Sequence, residues 1–332
     1  MHKVILDTDP GIDDAMAIAY AMAHPDIELL ALTTVFGNVS IEKATRNAQY
    51  ILDVFGAVKV DVAKGAGVPI TQAPLPHSEL VHGDDGIGNC YPATAVELNK
   101  SAKHASLHAL SAADYIIDQA RAQPGEITLI AVGPLTNVAL ALAKEPQLPK
   151  LVKQLIVMGG AVDEPGNVTP LAEANFFNDP HAADQLLAHD WPMVVVGLDV
   201  THKVMITDTH LEKLRDNAGA TGKFLWQSSR FYIDFYTSKG AAKDAAESQC
   251  AMHDAAAIAY LVEPTAFSIE SGAARVIEEG VAAGQLALDR RGYQYATDSW
   301  SNRAVTNSAC MGVDSERVLS SFIDNIIQHR LV

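Results

Sequence analysis

The residues most able to do chemistry stand together near the start of the chain, in Asp7-Thr8-Asp9-Pro10-Gly11-Ile12-Asp13-Asp14. Four carboxylates fall within eight residues, directly after the apolar run Val4-Ile5-Leu6. Pro10-Gly11 forces a turn. Asp13 and Asp14 then open a helix, where free N–H groups and the helix dipole favour negative charge. Capping accounts for one aspartate in such a place, not for four. Like charges this close repel unless a cation neutralises them. Several carboxylate oxygens around one point suit calcium or magnesium rather than zinc. The turn lets Asp9 and Asp14 face one ion. Asp13, rotated by about 100° on the helix, is expected to face elsewhere, toward a substrate.

Complementary groups recur after other apolar runs. Thr33 to Asn38 ends on an amide, and residues 131–137 offer backbone carbonyls to a metal. Val157-Met158-Gly159-Gly160 permits close backbone approach through its glycines. Asn167, Glu173, Asn175 and Asn178 form a polar cluster, and His253-Asp254 opens a helical pattern. Each of these alone reads as an ordinary loop or cap. Their common position at strand ends gives them weight.

The elements that must hold these groups alternate between short apolar runs and longer amphipathic ones. Strands are expected at 4–6, 27–34, 127–132, 155–158 and 193–197. Helices are expected at 15–23, 41–55, 105–121, 136–143, 181–188, 221–238, 254–261 and 314–329. Residues 275–276 and 285–288 read as further, antiparallel strands. Continuous apolar strands between helices imply an α/β fold: an open, mostly parallel central sheet, Rossmann-like, with helices on both faces. Ligands then bind at the carboxyl ends of the strands. With no repeat and no low-complexity linker, residues 1–332 read as a single domain.

Composition narrows the function classes. The net charge of −16 over 332 residues, with no basic patch, argues against nucleic-acid binding. Cys90, Cys250 and Cys310 are odd in number and fit neither a disulfide framework nor a zinc site, which points to a reducing cytoplasm. The apolar stretch after Met1 is too short for a signal peptide, and no run is long enough to span a membrane.

Together these motifs resemble the inosine-uridine nucleoside hydrolase family. The matching stretches are residues 7–14, Thr34 to Val39, Ala131 to Asn137, Val157 to Gly160, Asn167 to Asn175, Gly197-Leu198-Asp199-Val200-Thr201, and His253-Asp254. They occur in family order through roughly the first 260 residues. The resemblance implies Ca²⁺-dependent hydrolysis of the N-glycosidic bond of ribonucleosides such as inosine and uridine. It implies Asp9, Asp14 and Asp254 as carboxylate ligands of Ca²⁺, with the Val132 carbonyl beside them. The ribose 2′- and 3′-hydroxyls and a water would complete a shell of up to about eight oxygens. Asp9 is implied as the base for that water, with Asn38 beside it. Asp13 and Asn175 would grip the ribose diol, and Asn167 and Glu173 the 5′ end, with Met158 nearby. His82 and His253 would line the base pocket, His253 as the acid for the leaving base. A cytoplasmic homodimer or homotetramer acting in nucleoside salvage is implied as well.

Two departures bear on specificity. The family often carries Glu-Phe-Asn where this chain has Glu173-Ala174-Asn175. Residues 239–252 are rich in Ala and Lys and do not align securely; Tyr232 and Tyr236 are candidates there for base recognition, though core packing is the ordinary reading of each. Gly83, Gly86 and Gly88 after His82 read as a mobile loop closing over substrate. Two other functions stay open at this point: a nucleoside-binding relative without turnover, and an aspartyl-phosphate phosphohydrolase, since Asp7-Thr8-Asp9 also follows a first strand there.

Overall fold

A computed structural model describes residues 1–57, 59–92, 105–238, 247–301, 303 and 306–329. Its central sheet has nine strands in the order β10-β9-β11-β6-β5-β4-β1-β2-β3. Seven of these are parallel: β1 (His2–Thr8), β2 (Ile27–Thr34), β3 (Asp61–Lys64), β4 (Ile127–Ala131), β5 (Gln154–Met158), β6 (Met193–Val196) and β11 (Asn307–Val313). At the far edge β9 (Phe267–Val276) pairs antiparallel with β11, and β10 (Leu286–Asp289) antiparallel with β9. A separate antiparallel pair joins β7 (Met205–Thr207) to β8 (Gln249–Ala251).

Alternation along the strands builds two cores. Val4 and Leu6 point into one face, with Ile130, Ile156 and Val196, under the helices Ile12–Ala23, Gly219–Ser238, His253–Val262 and Ser315–Gln328. Ile5 points into the other, with Ala31, Leu129 and Leu155, under Ala112–Ala122, Thr136–Lys144 and Pro180–Leu187. Apolar residues on both sides of each strand are what a sheet covered on both faces requires.

The chain runs outward from β1 to β2 and β3, then returns to place β4 on the other side of β1. The order of the sheet therefore reverses between β1 and β4, and the crevice at their carboxyl ends is where such a fold takes its ligand.

Two strands of the central sheet and one helix start differ from expectation. β3 and β11 are built from Asp-Val-Ala-Lys and Asn-Ser-Ala-Cys-Met-Gly-Val, neither of which is a continuous apolar run. The central position of β11 comes from long-range pairing with β6 and β9. The helix expected from residue 105 begins only at Ala112, where the Ser111 hydroxyl caps it by accepting from Asp114 N.

Candidate active site

The loop after β1 is organised by its own aspartates. Asp14, third residue of the Ile12–Ala23 helix, accepts from Gly11 N at 2.8 Å and Asp9 N at 3.2 Å, and also from the Thr8 hydroxyl. It is a cap as well as a candidate ligand. Asp9 Oδ2 accepts from Asn38 N at 2.7 Å, while Asp9 Oδ1 is buried and has no hydrogen-bond partner. Glycines make the room: a Cβ on Gly37 would stand 2.1 Å from Asp9 Oδ2, and one on Gly133 2.7 Å from Oδ1. The Asn38 side-chain amide donates to Asp14 at 3.2 Å.

Oxygens of Asp13, Asp14 and Asp254 lie within 4.8 Å of one another. Asp254 reaches this point from the start of the His253–Val262 helix, which packs on Ile12–Ala23. Asp13 belongs to this group and also lines the cavity, so its rotation on the helix does not take it away from the other carboxylates. Asp9 stands beside the trio. Burial raises the Asp9 carboxyl well above its ordinary range, and the Asp14 charge adds to this. Burial and then the Asp14 charge do the same to Asp13; at Asp254, burial is followed by the charges of Asp13, Asp14 and Asp9.

These residues fit a hard divalent cation. The donors are all oxygens, they repel one another without positive charge, and one buried carboxylate oxygen is unpartnered. The Val132 carbonyl, just past β4, accepts from Asn175 Nδ2 at 2.7 Å and keeps a second lone pair.

The sugar-side groups converge on the same crevice. Asp13, Asn38, Asn167, Glu173 and Asn175 line one cavity of about 150 Å³ with Met158. Asn175 Nδ2 also donates to the Met158 carbonyl at 3.1 Å. Glu173 is held by backbone N–H groups of Gly160 (2.8 Å), Asn175 (2.9 Å) and Phe176 (3.2 Å). Burial still pushes its carboxyl up to about 7 against those hydrogen bonds. Asn167 Oδ1 accepts from Ala174 N at 3.0 Å.

On the opposite wall, His82 Nδ1 accepts from Ile12 N at 3.1 Å, which leaves the ring proton on Nε2. Its ring stacks on Tyr232 with centroids 5.5 Å apart. His253 lies between two hydroxyls, Thr201 Oγ1 at 2.7 Å from Nδ1 and Tyr236 Oη at 2.8 Å from Nε2. Burial lowers both imidazoles to about 3, so both are neutral. His253 and Tyr236 both line the cavity.

Tyr232, Phe235 and Tyr236 form an aromatic wall. Their i, i+3, i+4 spacing puts them on one helix face. That spacing is the signal by which Phe235, missed from the sequence, could have been found. Of the segment 239–252, residues 239–246 lie outside the described residues. The glycines after His82 serve packing. A Cβ on Gly86 would stand 2.5 Å from Val39, and one on Gly88 2.4 Å from the Ser228 carbonyl. Both have positive φ, and Asp85 ties the turn by accepting from the N–H groups of Ile87, Asn89 and Tyr91.

A larger concavity, about 510 Å³, lies at the β9–β10 edge. Its Arg290 is paired with Asp163 and Glu270 and its Arg303 with Asp184, and among the described residues it holds no cluster of carboxylates like that of the smaller cavity. The chemistry favours the smaller cavity at the β1–β4 crevice. Among the described residues no helix is long and apolar enough to cross a membrane.

Comparison with known proteins bears on what this crevice does. The family model for inosine-uridine preferring nucleoside hydrolase matches residues 4–320. A probable uridine nucleosidase 2 of Oryza sativa subsp. japonica is 37% identical over 96% of this chain and 91% of its own length. An inosine-uridine preferring nucleoside hydrolase of Leishmania major is 37% identical over 81% of each chain. Among solved structures, a plant nucleoside hydrolase superposes with a TM-score of 0.88 at 35% identity, covering 98% of this chain and 99% of that one. A purine-preferring ribonucleoside hydrolase from Gardnerella vaginalis gives 0.87 at 32% identity over 99% of both.

Proposed function

The chain belongs to the inosine-uridine preferring nucleoside hydrolase family and is a nucleoside hydrolase; from that premise we propose that it cleaves ribonucleosides, uridine and inosine among them, with Asp9 as the base and Ca²⁺ as its cofactor. The observation that carries this reading is the unpartnered Asp9 Oδ1 beside the Asp13-Asp14-Asp254 cluster, of which Asp13 and Asp254 line the same cavity as the sugar-facing amides.

Asp9, Asp14, Asp254 and the Val132 carbonyl would hold the ion. When bound, calcium would supply the positive charge that offsets these carboxylates and eases the deprotonation of a nearby water. The chain's own residues do the rest. Asn38 N fixes Asp9 Oδ2, which leaves Oδ1 to take a proton from the attacking water. Asp13 and Asn175 orient the 2′- and 3′-hydroxyls, and Asn167 and Glu173 the 5′-hydroxyl. Positive charge grows on the sugar as the C1′–N bond breaks. The surrounding carboxylates and amide oxygens stabilise it.

At the leaving base, His253 Nδ1 is hydrogen-bonded to Thr201 Oγ1 and Nε2 to Tyr236 Oη; in the tautomer this reading uses, Thr201 donates to Nδ1 and Nε2–H donates to Tyr236. The Tyr236 O–H is then directed at the base. The same family reading carries a dimer or tetramer, which light scattering tests.

The deciding assay follows release of free base and ribose from uridine and inosine. Turnover supports the reading. Binding without turnover favours a non-catalytic relative, and hydrolysis of a phosphate monoester instead would favour the aspartyl-phosphate chemistry. Glu173→Ala should chiefly weaken substrate binding.

A further inference from the structure

The motif Gly197-Leu198-Asp199-Val200-Thr201 has so far one assigned contact, Thr201 to His253. It forms a short helix, Leu198–Thr201, immediately after β6. Asp199 is 2% exposed, and its carboxylate does not cap its own helix. It turns instead to the segment after β5. Its Oδ2 accepts from Val162 N at 2.8 Å, and its Oδ1 from Asp163 N at 2.8 Å and Glu164 N at 3.2 Å. Three successive backbone N–H groups thus converge on one buried carboxylate. Hydrogen bonds to an ionised acceptor are about twice as strong as neutral ones.

We propose that Asp199 is a positioning residue for the grip on the 5′ end of the sugar. The segment it pins runs straight into that grip. Gly160 joins the two sides: its N–H donates to Glu173 Oε2 at 2.8 Å, and its carbonyl accepts from Leu198 N at 2.9 Å. Gly197 has no room for a side chain, since a Cβ there would stand 2.8 Å from the Gly160 carbonyl. Past residue 164 the chain folds on itself, with Asn167 N donating to the Ala172 carbonyl at 3.1 Å and Asn167 Oδ1 accepting from Ala174 N. Asn167 and Glu173 therefore sit on one loop whose entrance is fixed by Asp199. On the outside, Arg290 pairs with Asp163, but that pair is solvent-exposed and holds the turn weakly. One four-residue helix serves both ends of the nucleoside, the sugar through Asp199 and the base through Thr201.

The inference rests on the reading that Asn167 and Glu173 hold the 5′-hydroxyl, and one experiment separates the two. kcat and KM are measured for uridine and 5′-deoxyuridine with wild type, Asp199→Asn and Thr201→Val. A small misplacement of positioned groups costs about 10²-fold, and that loss in kcat/KM is expected for Asp199→Asn on uridine. On 5′-deoxyuridine, which lacks the group to be positioned, its rate should match wild type within about twofold, the limit of additivity. Thr201→Val should lose equally on both substrates. Wild type that prefers uridine, with Asp199→Asn losing equally on both, overturns the positioning role alone. Wild type that treats both substrates alike overturns the 5′ assignment and this proposal with it. Asp199→Glu keeps the charge and displaces it by one methylene. The same substrate-dependent pattern at smaller amplitude is expected, so it decides the matter should the Asn variant not fold.

Discussion

Tyr236 Oη lies 2.8 Å from His253 Nε2, and the other nitrogen of that ring is held by Thr201 at 2.7 Å. Both nitrogens of this neutral imidazole are engaged, and under the proposed function the tyrosine hydroxyl beside it serves the leaving base. Tyr236→Phe removes that hydroxyl and keeps the aromatic wall.

The loss should depend on the leaving group. For inosine, Tyr236→Phe is expected to lower kcat by about 10²-fold or more, the usual worth of a positioned acid. For p-nitrophenyl β-D-ribofuranoside, whose leaving group departs as a stable phenolate, the variant should stay close to wild type. Equal losses on the two substrates would mean that Tyr236 acts through packing alone.

The sugar, more than the base, should decide what is accepted. Asp13, Asn167, Glu173 and Asn175 surround one side of the cavity, while the base side is largely aromatic. Both uridine and inosine should turn over, and the matching 2′-deoxynucleosides should be poor substrates. Buried groups left unpaired reject a ligand by about 10⁴-fold in favourable cases. Comparable kcat/KM for uridine and 2′-deoxyuridine would remove the ribose diol from the account.

The carboxylate loop was legible because its information is local: a strand, a Pro-Gly turn and four aspartates in one short stretch. Asn38 and Val132 were legible as strand ends in a parallel sheet. The Tyr236–His253 contact was not, because it requires the phase of the Gly219–Ser238 helix relative to His253, a relation between residues 17 apart in sequence. β11 was hidden for a similar reason, as small and polar residues become central strand only by pairing with β6 and β9. At Gly86 and Gly88 the sequence suggested a mobile loop; what it did not show is that Val39 and the Ser228 carbonyl leave no space for a side chain there. Nothing in the sequence marks Asp199 as serving the 162–164 turn, since the two meet only after β5 and β6 align.

Away from the site, Asp184 ties the Pro180–Leu187 helix to β9 and to Arg303. Burial alone would raise its carboxyl. Hydrogen bonds from Arg275, Val276 N and Arg303 outweigh that and hold it below the ordinary range. A lowered folded-state pKa contributes stability that is present above the unfolded value and lost as pH falls through the folded one. Thermal unfolding should therefore show wild type losing its advantage over Asp184→Asn on acidification below the ordinary Asp range. At neutral pH the variant should be less stable by on the order of 3 kcal/mol. A difference between the two that does not change with pH would contradict the ion-pair account.

Under the proposed function, Asp9 works as a base at a carboxylate site filled by calcium. The direct measurement is kcat for uridine in chelator-stripped wild type and Asp9→Ala as calcium is titrated back. Stripped wild type should be inactive and should recover with Ca²⁺, while Asp9→Ala at saturating Ca²⁺ should remain about 10²–10⁴-fold slower or worse. Full activity without the ion, or a near-normal rate for Asp9→Ala, would contradict it.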